Sequence, residues 1–177
     1  MSRKLKALMA SVCIALPLAG QANDLPMNGW TEFYFAESGG KLLDKPAFDD
    51  TALPASFGFA SSTPVLLRVT DLNFAGDQFQ LLVDGKVLGQ TSAPTGSSST
   101  DLGDQYENAY THPQGSHGAW FLQAGSHIIS GTVLASPLGA GNGALQISPV
   151  PETDSSAMVV AGVGLVCAFL RRRIVGR

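Results

Sequence analysis

Four side chains with oxygen donors lie close together in the sequence, around two predicted turns: Asp71, Asn73, Asp77 and Asp84. Calcium takes several hard oxygen ligands, and loops that bring carboxylates and amides together often hold it. The spacing differs from that of an EF-hand loop, and the terminal bidentate glutamate is missing. Asp and Asn also stabilise turns through hydrogen bonds to nearby backbone. Calcium binding and turn formation are therefore both open interpretations, and no other cofactor is predicted.

A second group of interest is a pair of tyrosines, Tyr106 and Tyr110, in the long polar segment 92–117. Sugar rings stack on tyrosine faces where polar side chains lie nearby, as Asn108 and Glu107 do here. The same rings can instead pack a long segment onto the domain. The pair is thus either a glycan platform or part of the packing.

Other chemistries have less support in the residue pattern. The three histidines His112, His117 and His127 are dispersed, and no cysteine lies near them to complete a zinc site. Asp104 and Glu107 are three residues apart in a polar segment, where acids are usually solvated rather than paired for glycoside hydrolysis. We therefore predict a protein that is not an enzyme.

The C-terminal segment has three parts in a fixed order. The motif Val150-Pro151-Glu152, within residues 150–153, is followed by the uncharged run Ala157–Leu170 and then by Arg171-Arg172-Arg173. Fourteen helical residues span about 21 Å, and the preceding serines extend the predicted transmembrane helix to 155–170. Arginines are retained on the cytoplasmic side of membranes, so residues 171–177 are predicted to stay inside.

This segment resembles the PEP-CTERM sorting signal of exopolysaccharide-producing Gram-negative bacteria. The resemblance covers residues 150–177, and it departs from the usual pattern at Thr153, where the family most often has proline. It implies processing by exosortase, a membrane-embedded cysteine transpeptidase, and an association with exopolysaccharide or biofilm at the cell surface.

The N-terminus has the features of a secretory signal peptide. Arg3, Lys4 and Lys6 precede the apolar stretch Ala7–Ala19, and small residues then lead to a predicted signal peptidase site after Ala22. Export across the inner membrane agrees with the orientation predicted from the C-terminal arginines. The chain therefore divides into a signal peptide (1–22), an exported domain (23–149) and a sorting tail (150–177).

The exported part is acidic and lacks cysteine. Residues 23–150 contain twelve acidic and four basic side chains, a net charge of −8, whereas the whole chain carries −3. This charge disfavours binding to nucleic acid or anionic lipid and suits a neutral glycan or a cation. Both cysteines lie outside the domain, so it forms no disulfide of its own despite an oxidising compartment. Its length is sufficient for one domain with its own core.

Short runs of alternating or β-branched residues, separated by turn residues, predict an all-β domain. Asp84-Gly85 between two such runs predicts a tight hairpin. We expect an antiparallel, jelly-roll-like sandwich of about eight strands, without a sustained helical segment. The predicted strands are Trp30–Phe35, Phe57–Phe59, Val65–Thr70, Phe79–Val83, Lys86–Thr91, Ala119–Leu122, His127–Leu134 and Ala144–Val150.

A looser resemblance lies within this domain. Val69-Thr70-Asp71, Gly76-Asp77-Gln78-Phe79 and Leu88-Gly89-Gln90-Thr91-Ser92 are similar to segments of a sandwich ectodomain that precedes such tails. Similar sandwiches include carbohydrate-binding modules. The main interpretation is an exported surface or matrix protein, anchored by its tail until it is sorted, and the alternative is an anchored carbohydrate-binding module.

Overall fold

The computed structural model describes residues 22–150, which form two packed β-sheets, a small third sheet and one short helix. The predicted signal peptide, apart from Ala22, and the predicted sorting tail beyond Val150 lie outside the described residues. Within 22–150, no helix is both long enough and apolar enough to cross a bilayer. The elements are β1 (Asn23–Asp24), β2 (Trp30–Phe35), β3 (Phe57–Ser61), β4 (Val65–Asp71), β5 (Asn73–Phe74), β6 (Gln78–Val83), β7 (Lys86–Gln90), β8 (Asp101–Gly103), α1 (Tyr106–Thr111), β9 (His117–Leu122), β10 (Gly125–Ala135) and β11 (Gly141–Pro149).

The order of the strands shows how the chain builds the sandwich. One sheet has the order β1-β3-β10-β6-β7, the other has the order β2-β11-β4-β9, and β5 pairs with β8 alone. Neighbouring strands are antiparallel except in the short pairing of β1 with β3. Most connections lead, directly or through the small third sheet, from one large sheet to the other. The prediction of an all-β sandwich is confirmed.

The main core lies between the inner faces of the two sheets. On β2, Phe33 and Phe35 are fully buried, and the residues between and before them face outward, as the two-residue period of a strand requires. The ring of Phe79 on β6, in the opposite sheet, meets Phe33 edge-on at a centroid distance of 5.0 Å. The alternation that predicted β2 thus results from one face packing against the other sheet.

The predicted Asp84-Gly85 hairpin joins β6 to β7. Asp84 has a φ of 52° and Gly85 a φ of 75°, the pair of positive values that a tight type I′ turn requires. The turn brings Val83 opposite Lys86 in the ladder. A second glycine, Gly89 on β7, lets Trp120 of the other sheet approach closely. A Cβ at Gly89 would lie only 2.5 Å from the indole nitrogen of Trp120.

The long polar segment differs most from the prediction. Residues 92–117 contain β8 and the helix α1, although no helical segment was expected. Six residues make fewer than two turns, too few for a helical period to be visible in the sequence. The helix packs its buried Ala109 with Leu72, Leu102 and Ala144 in a second apolar cluster outside the main core. Tertiary packing, rather than sequence period, therefore determines this helix.

The last strand is longer at its start than predicted. β11 begins at Gly141 rather than at residue 144, and it ends at Pro149. A Cβ at Gly143 would lie 2.5 Å from the ring of Phe33 and 2.7 Å from the carbonyl oxygen of Thr70, so this strand can run through the centre of its sheet only with glycine there. Gly141 and Gly143 weaken the strand pattern in the sequence, but in the structure both are part of the packing.

Candidate functional site

A cluster of aromatic and charged side chains covers the outer face of the four-stranded sheet. Trp30 on β2, Gln146 on β11 and Arg68 on β4 are neighbours across three adjacent strands. Tyr106 and Tyr110 come from α1, which lies over this face. We refer to Trp30, Arg68, Tyr106, Glu107 and Tyr110 as the outer cluster.

Arg68 is the central residue of the outer cluster. Its two terminal nitrogens donate to the two carboxylate oxygens of Glu107, at 3.0 and 2.8 Å. Its Nε donates to Oε1 of Gln146 at 3.0 Å, and its guanidinium carbon lies 5.1 Å from the Trp30 ring centre and 4.9 Å from that of Tyr110. The bidentate pair and the ring contacts fix α1 to the sheet.

The rings of the outer cluster contact one another. Trp30 stacks on Tyr106 at a centroid distance of 5.9 Å with an angle of 26° between the planes. Trp30 also meets Tyr110 at 5.9 Å, and its indole N–H donates to Glu107 at 3.1 Å. The two tyrosines that the sequence singled out are therefore brought together and are half-buried, Tyr106 against Trp30 and Tyr110 against Trp30 and Arg68. These contacts are the ones expected if the two tyrosines pack the segment onto the domain.

Glu32 connects the outer cluster to the end of β2. The hydroxyl of Tyr106 donates to one of its oxygens at 3.0 Å, and the hydroxyl of Tyr34 donates to the other at 2.7 Å. The bond to Glu32, followed by burial, raises the pKa of Tyr34 to about 12. Tyr34 is thus a neutral hydroxyl at physiological pH and is held in one orientation.

Glu107 does not have the environment of a general acid. The hydrogen bonds from Arg68 are the largest of the causes that lower the pKa of Glu107. A general acid in glycoside hydrolysis needs a raised pKa. Asp104, the acid three residues before Glu107, is exposed and accepts a bond from Gln105 at 3.1 Å.

The calcium candidates separate into two places. Asp71, at the end of β4, and Asp77, just before β6, are buried next to each other, and Asn73 lies nearby, donating to Asn142 at 2.7 Å. Asp84 follows the other end of β6, about 20 Å away along a six-residue strand. There its carboxylate holds His127 at 2.8 Å and accepts from the backbone N–H of Ile128 at 2.9 Å. Asp84 therefore serves its hairpin and lies apart from the other three.

Asp71 and Asp77 form a buried pair of carboxyl groups. One oxygen of Asp71 accepts from the backbone N–H of Leu72 at 2.9 Å, and the other accepts from that of Asp77 at 3.1 Å. Burial and, next, the charge of Asp77 raise the pKa of Asp71 to about 9. Burial also raises the pKa of Asp77. The pair is therefore stabilised by a proton rather than by a positively charged partner side chain.

This pair predicts an unusual dependence of stability on pH. A pKa of about 9 for Asp71 in the folded state, against 3.8 for an unperturbed aspartate, means that the folded state binds the proton more tightly than the unfolded state. The contribution is complete below about pH 4 and is lost as pH rises through about 9. We expect the melting temperature to fall from pH 5 to pH 9 in calorimetry, and to fall less steeply in Asp71→Asn. Parallel slopes in the two proteins would contradict the assignment.

The histidines are dispersed over the two sheets. His117 is on β9 beside Tyr110, at a centroid distance of 5.4 Å, whereas His127 is on β10 of the opposite sheet and His112 follows α1. Among residues 22–150, no group of three or more His, Cys, Asp or Glu side chains is arranged to hold a metal ion.

Sequence reasoning missed an apolar groove at one end of the sandwich. It has a volume of about 580 Å³, within the ~300–1,000 Å³ of small-molecule sites. Its lining comes from the outer end of β2, the loop between β2 and β3, and the start of β11. We call this site the end groove, and its lining residues are Tyr34, Phe35, Pro46, Ala47, Phe48, Ala140, Gly141 and Asn142.

No family model and no curated protein matches the chain. Among solved structures, the pre-peptidase C-terminal domain of a Bacillus anthracis collagenase is similar over 72% of this chain and 94% of its own, with a TM-score of 0.38 and 10% identity. A Paenibacillus cycloisomaltooligosaccharide glucanotransferase, complexed with cycloisomaltoheptaose, is similar over 72% of this chain and 15% of its own, with a TM-score of 0.33 and 16% identity. At these scores neither protein supports an inference about function.

Proposed function

We propose that this protein is an exported, non-enzymatic surface or matrix protein, delivered through its C-terminal tail by an exosortase-type system. The observation that carries the proposal is the position of the motif relative to the end of β11. The last strand ends at Pro149, and the N–H of Val150 donates to the carbonyl oxygen of Pro64 at 3.1 Å. The residues that resemble the processing motif, Pro151 and Glu152, therefore follow directly after Val150, the last described residue, which is bonded to the sandwich. A transpeptidase can act there while the folded domain stays intact.

The course of β11 gives the proposal a geometric consequence. This nine-residue strand starts at the end groove and ends beside the tail, so it separates the two by about 30 Å. A domain anchored through residues 155–170 presents the loops at the start of β11 away from the membrane. The face that is available to the exterior is therefore the one that contains the end groove.

The tail is tested by changing the motif. We expect Pro151→Ala combined with Glu152→Ala to block processing in a host that contains exosortase, because both residues belong to the resembling motif. Mass spectrometry of the mature protein should then give one mass for the variant in hosts with and without the enzyme. The wild-type protein should be shorter only in the host that has it.

Two controls make this result specific. The double variant should melt at the wild-type temperature, since both residues follow Pro149, where β11 ends. Thr153→Pro restores the residue that the family most often has, and it should increase the processed fraction. Equal masses of the wild-type protein in both hosts would show that the tail is only an anchor.

A further inference from the structure

The end groove contains an aromatic ring that the fold does not use for packing. Phe48 is 89% exposed, although a phenylalanine at such a position stabilises nothing in the isolated domain. It belongs to the loop between β2 and β3, beside Pro46 and Ala47 of the groove lining. An exposed ring next to a concave apolar surface is typical of a binding site.

The loop presents Phe48 in a fixed position. Asp49 accepts from the backbone N–H of Thr51 at 2.8 Å and from its hydroxyl at 2.6 Å, and Lys45 donates to that hydroxyl at 2.6 Å. Asp44 closes the loop by accepting from the N–H of Leu53 at 2.8 Å. These bonds order the turn before any ligand arrives, which reduces the entropy cost of binding.

A peptide strand does not fit this groove. The backbone of Tyr34 at the edge of β2 is already paired, since its N–H donates to the carbonyl of Leu43 at 3.0 Å and its carbonyl accepts from Leu43 at 2.7 Å. Addition of a strand requires free N–H and C=O groups at a sheet edge. The loop that contains Leu43 occupies this edge, so backbone pairing is not available to a ligand here.

The charges around the groove select a neutral ligand. The groove lining contains no ionisable acid or base apart from the phenol of Tyr34. Two acids, Asp49 and Asp50, follow Phe48 on the same turn, and the domain as a whole carries −8. Anionic polymers and anionic lipid surfaces are therefore repelled from this end of the molecule.

We propose that the end groove binds a neutral sugar ring of a polysaccharide. The apolar face of the ring stacks on Phe48 and Tyr34, and its hydroxyl groups bond at the polar edge formed by Asn142. The side-chain oxygen of Asn142 accepts from Asn73 at 2.7 Å, which orients the amide. This proposal concerns the ligand of the domain, and it stands whether or not the tail is cut.

The test uses the full mature chain in a zwitterionic detergent that has no sugar headgroup. Native gels contain one neutral polymer each, namely dextran, hydroxyethyl cellulose, mannan or galactan, and one gel contains anionic alginate. We expect at least one neutral polymer to retard the wild-type protein and alginate to have no effect. Phe48→Ala should weaken the retardation at least tenfold and leave the melting temperature unchanged, because the ring is exposed.

Phe121→Ala is the matched control, since Phe121 is also exposed, at 69%, and lies opposite Leu66 near the tail end of the sandwich. It should bind as the wild-type protein does. The proposal is overturned if no neutral polymer retards the protein, or if both phenylalanine variants bind equally. It is also overturned if sedimentation shows a dimer that Phe48→Ala separates, because the groove is then a contact between two copies.

Discussion

Replacing Asp71 with alanine is expected to lower the free energy of unfolding by about 3–5 kcal/mol, the largest effect of a single polar substitution in the domain. Asp71 is fully buried, and its carboxyl accepts the backbone N–H groups of Leu72 and Asp77. Each buried donor that loses its partner costs about 1–3 kcal/mol. Alanine removes both acceptors at once and leaves a small cavity. Urea unfolding at pH 5, where the pair holds its proton, measures the loss.

Two further variants serve as comparisons for Asp71→Ala. Asp71→Asn keeps one acceptor oxygen, so we expect its free energy of unfolding to lie between those of the wild-type protein and of Asp71→Ala. Asp24→Ala changes an exposed acid on β1 and should alter stability by less than about 0.5 kcal/mol. If Asp71→Ala resembles Asp24→Ala, the two backbone N–H groups find other partners, and the structural role assigned to this carboxyl is wrong.

Trp30→Ala is expected to give the second large effect, lowering the free energy of unfolding by about 2–4 kcal/mol. The loss is somewhat smaller than for a fully buried tryptophan, because the Trp30 ring is half-buried. The substitution removes the stacking with Tyr106, the contact with Arg68 and the bond to Glu107. These contacts hold α1 on the sheet. Hydrogen exchange at residues 106–111 should therefore increase more than exchange in β11.

The same experiment distinguishes the two interpretations of the tyrosines. If the outer cluster is a packing unit, Tyr106→Ala also destabilises the domain, and the double variant with Trp30→Ala loses less than the sum of the single losses. Phe121→Ala is the control for a large ring on the same sheet face that lies outside the cluster. If Tyr106→Ala instead leaves unfolding unchanged and removes polysaccharide binding, the glycan platform lies here and not in the end groove.

The strand pattern could be predicted because it depends on short-range chemistry. Alternation in residues 30–35 and 65–70 follows from the two-residue period of a strand with one buried face. The Asp84-Gly85 turn follows from the tolerance of these two residue types for positive φ. The eight predicted strands all occur in the structure, and their limits differ by a few residues at most.

Short elements were missed because their stability comes from elsewhere in the chain. The helix α1 has no side-chain cap at Gln105 and only six residues, and β5 has two. Neither is long enough to show a period, and each forms against residues distant in sequence. The start of β11 was missed for a related reason, since glycine weakens a strand pattern unless its packing is known.

By itself, the sequence determined the all-β class, the position of the hairpin and the acidity of residues 23–150, since these depend on residue type and local spacing. Only the tertiary structure decided which side chains meet. Arg68 and Glu107 are 39 residues apart, and Trp30 and Glu107 are 77 apart. Tyr34 and Phe48 line the same groove because the loop between β2 and β3 is hydrogen-bonded to β2 and β10. No local sequence pattern predicts these bonds. Sites on a sandwich form where separate strands and loops converge, and that convergence follows from strand order and register.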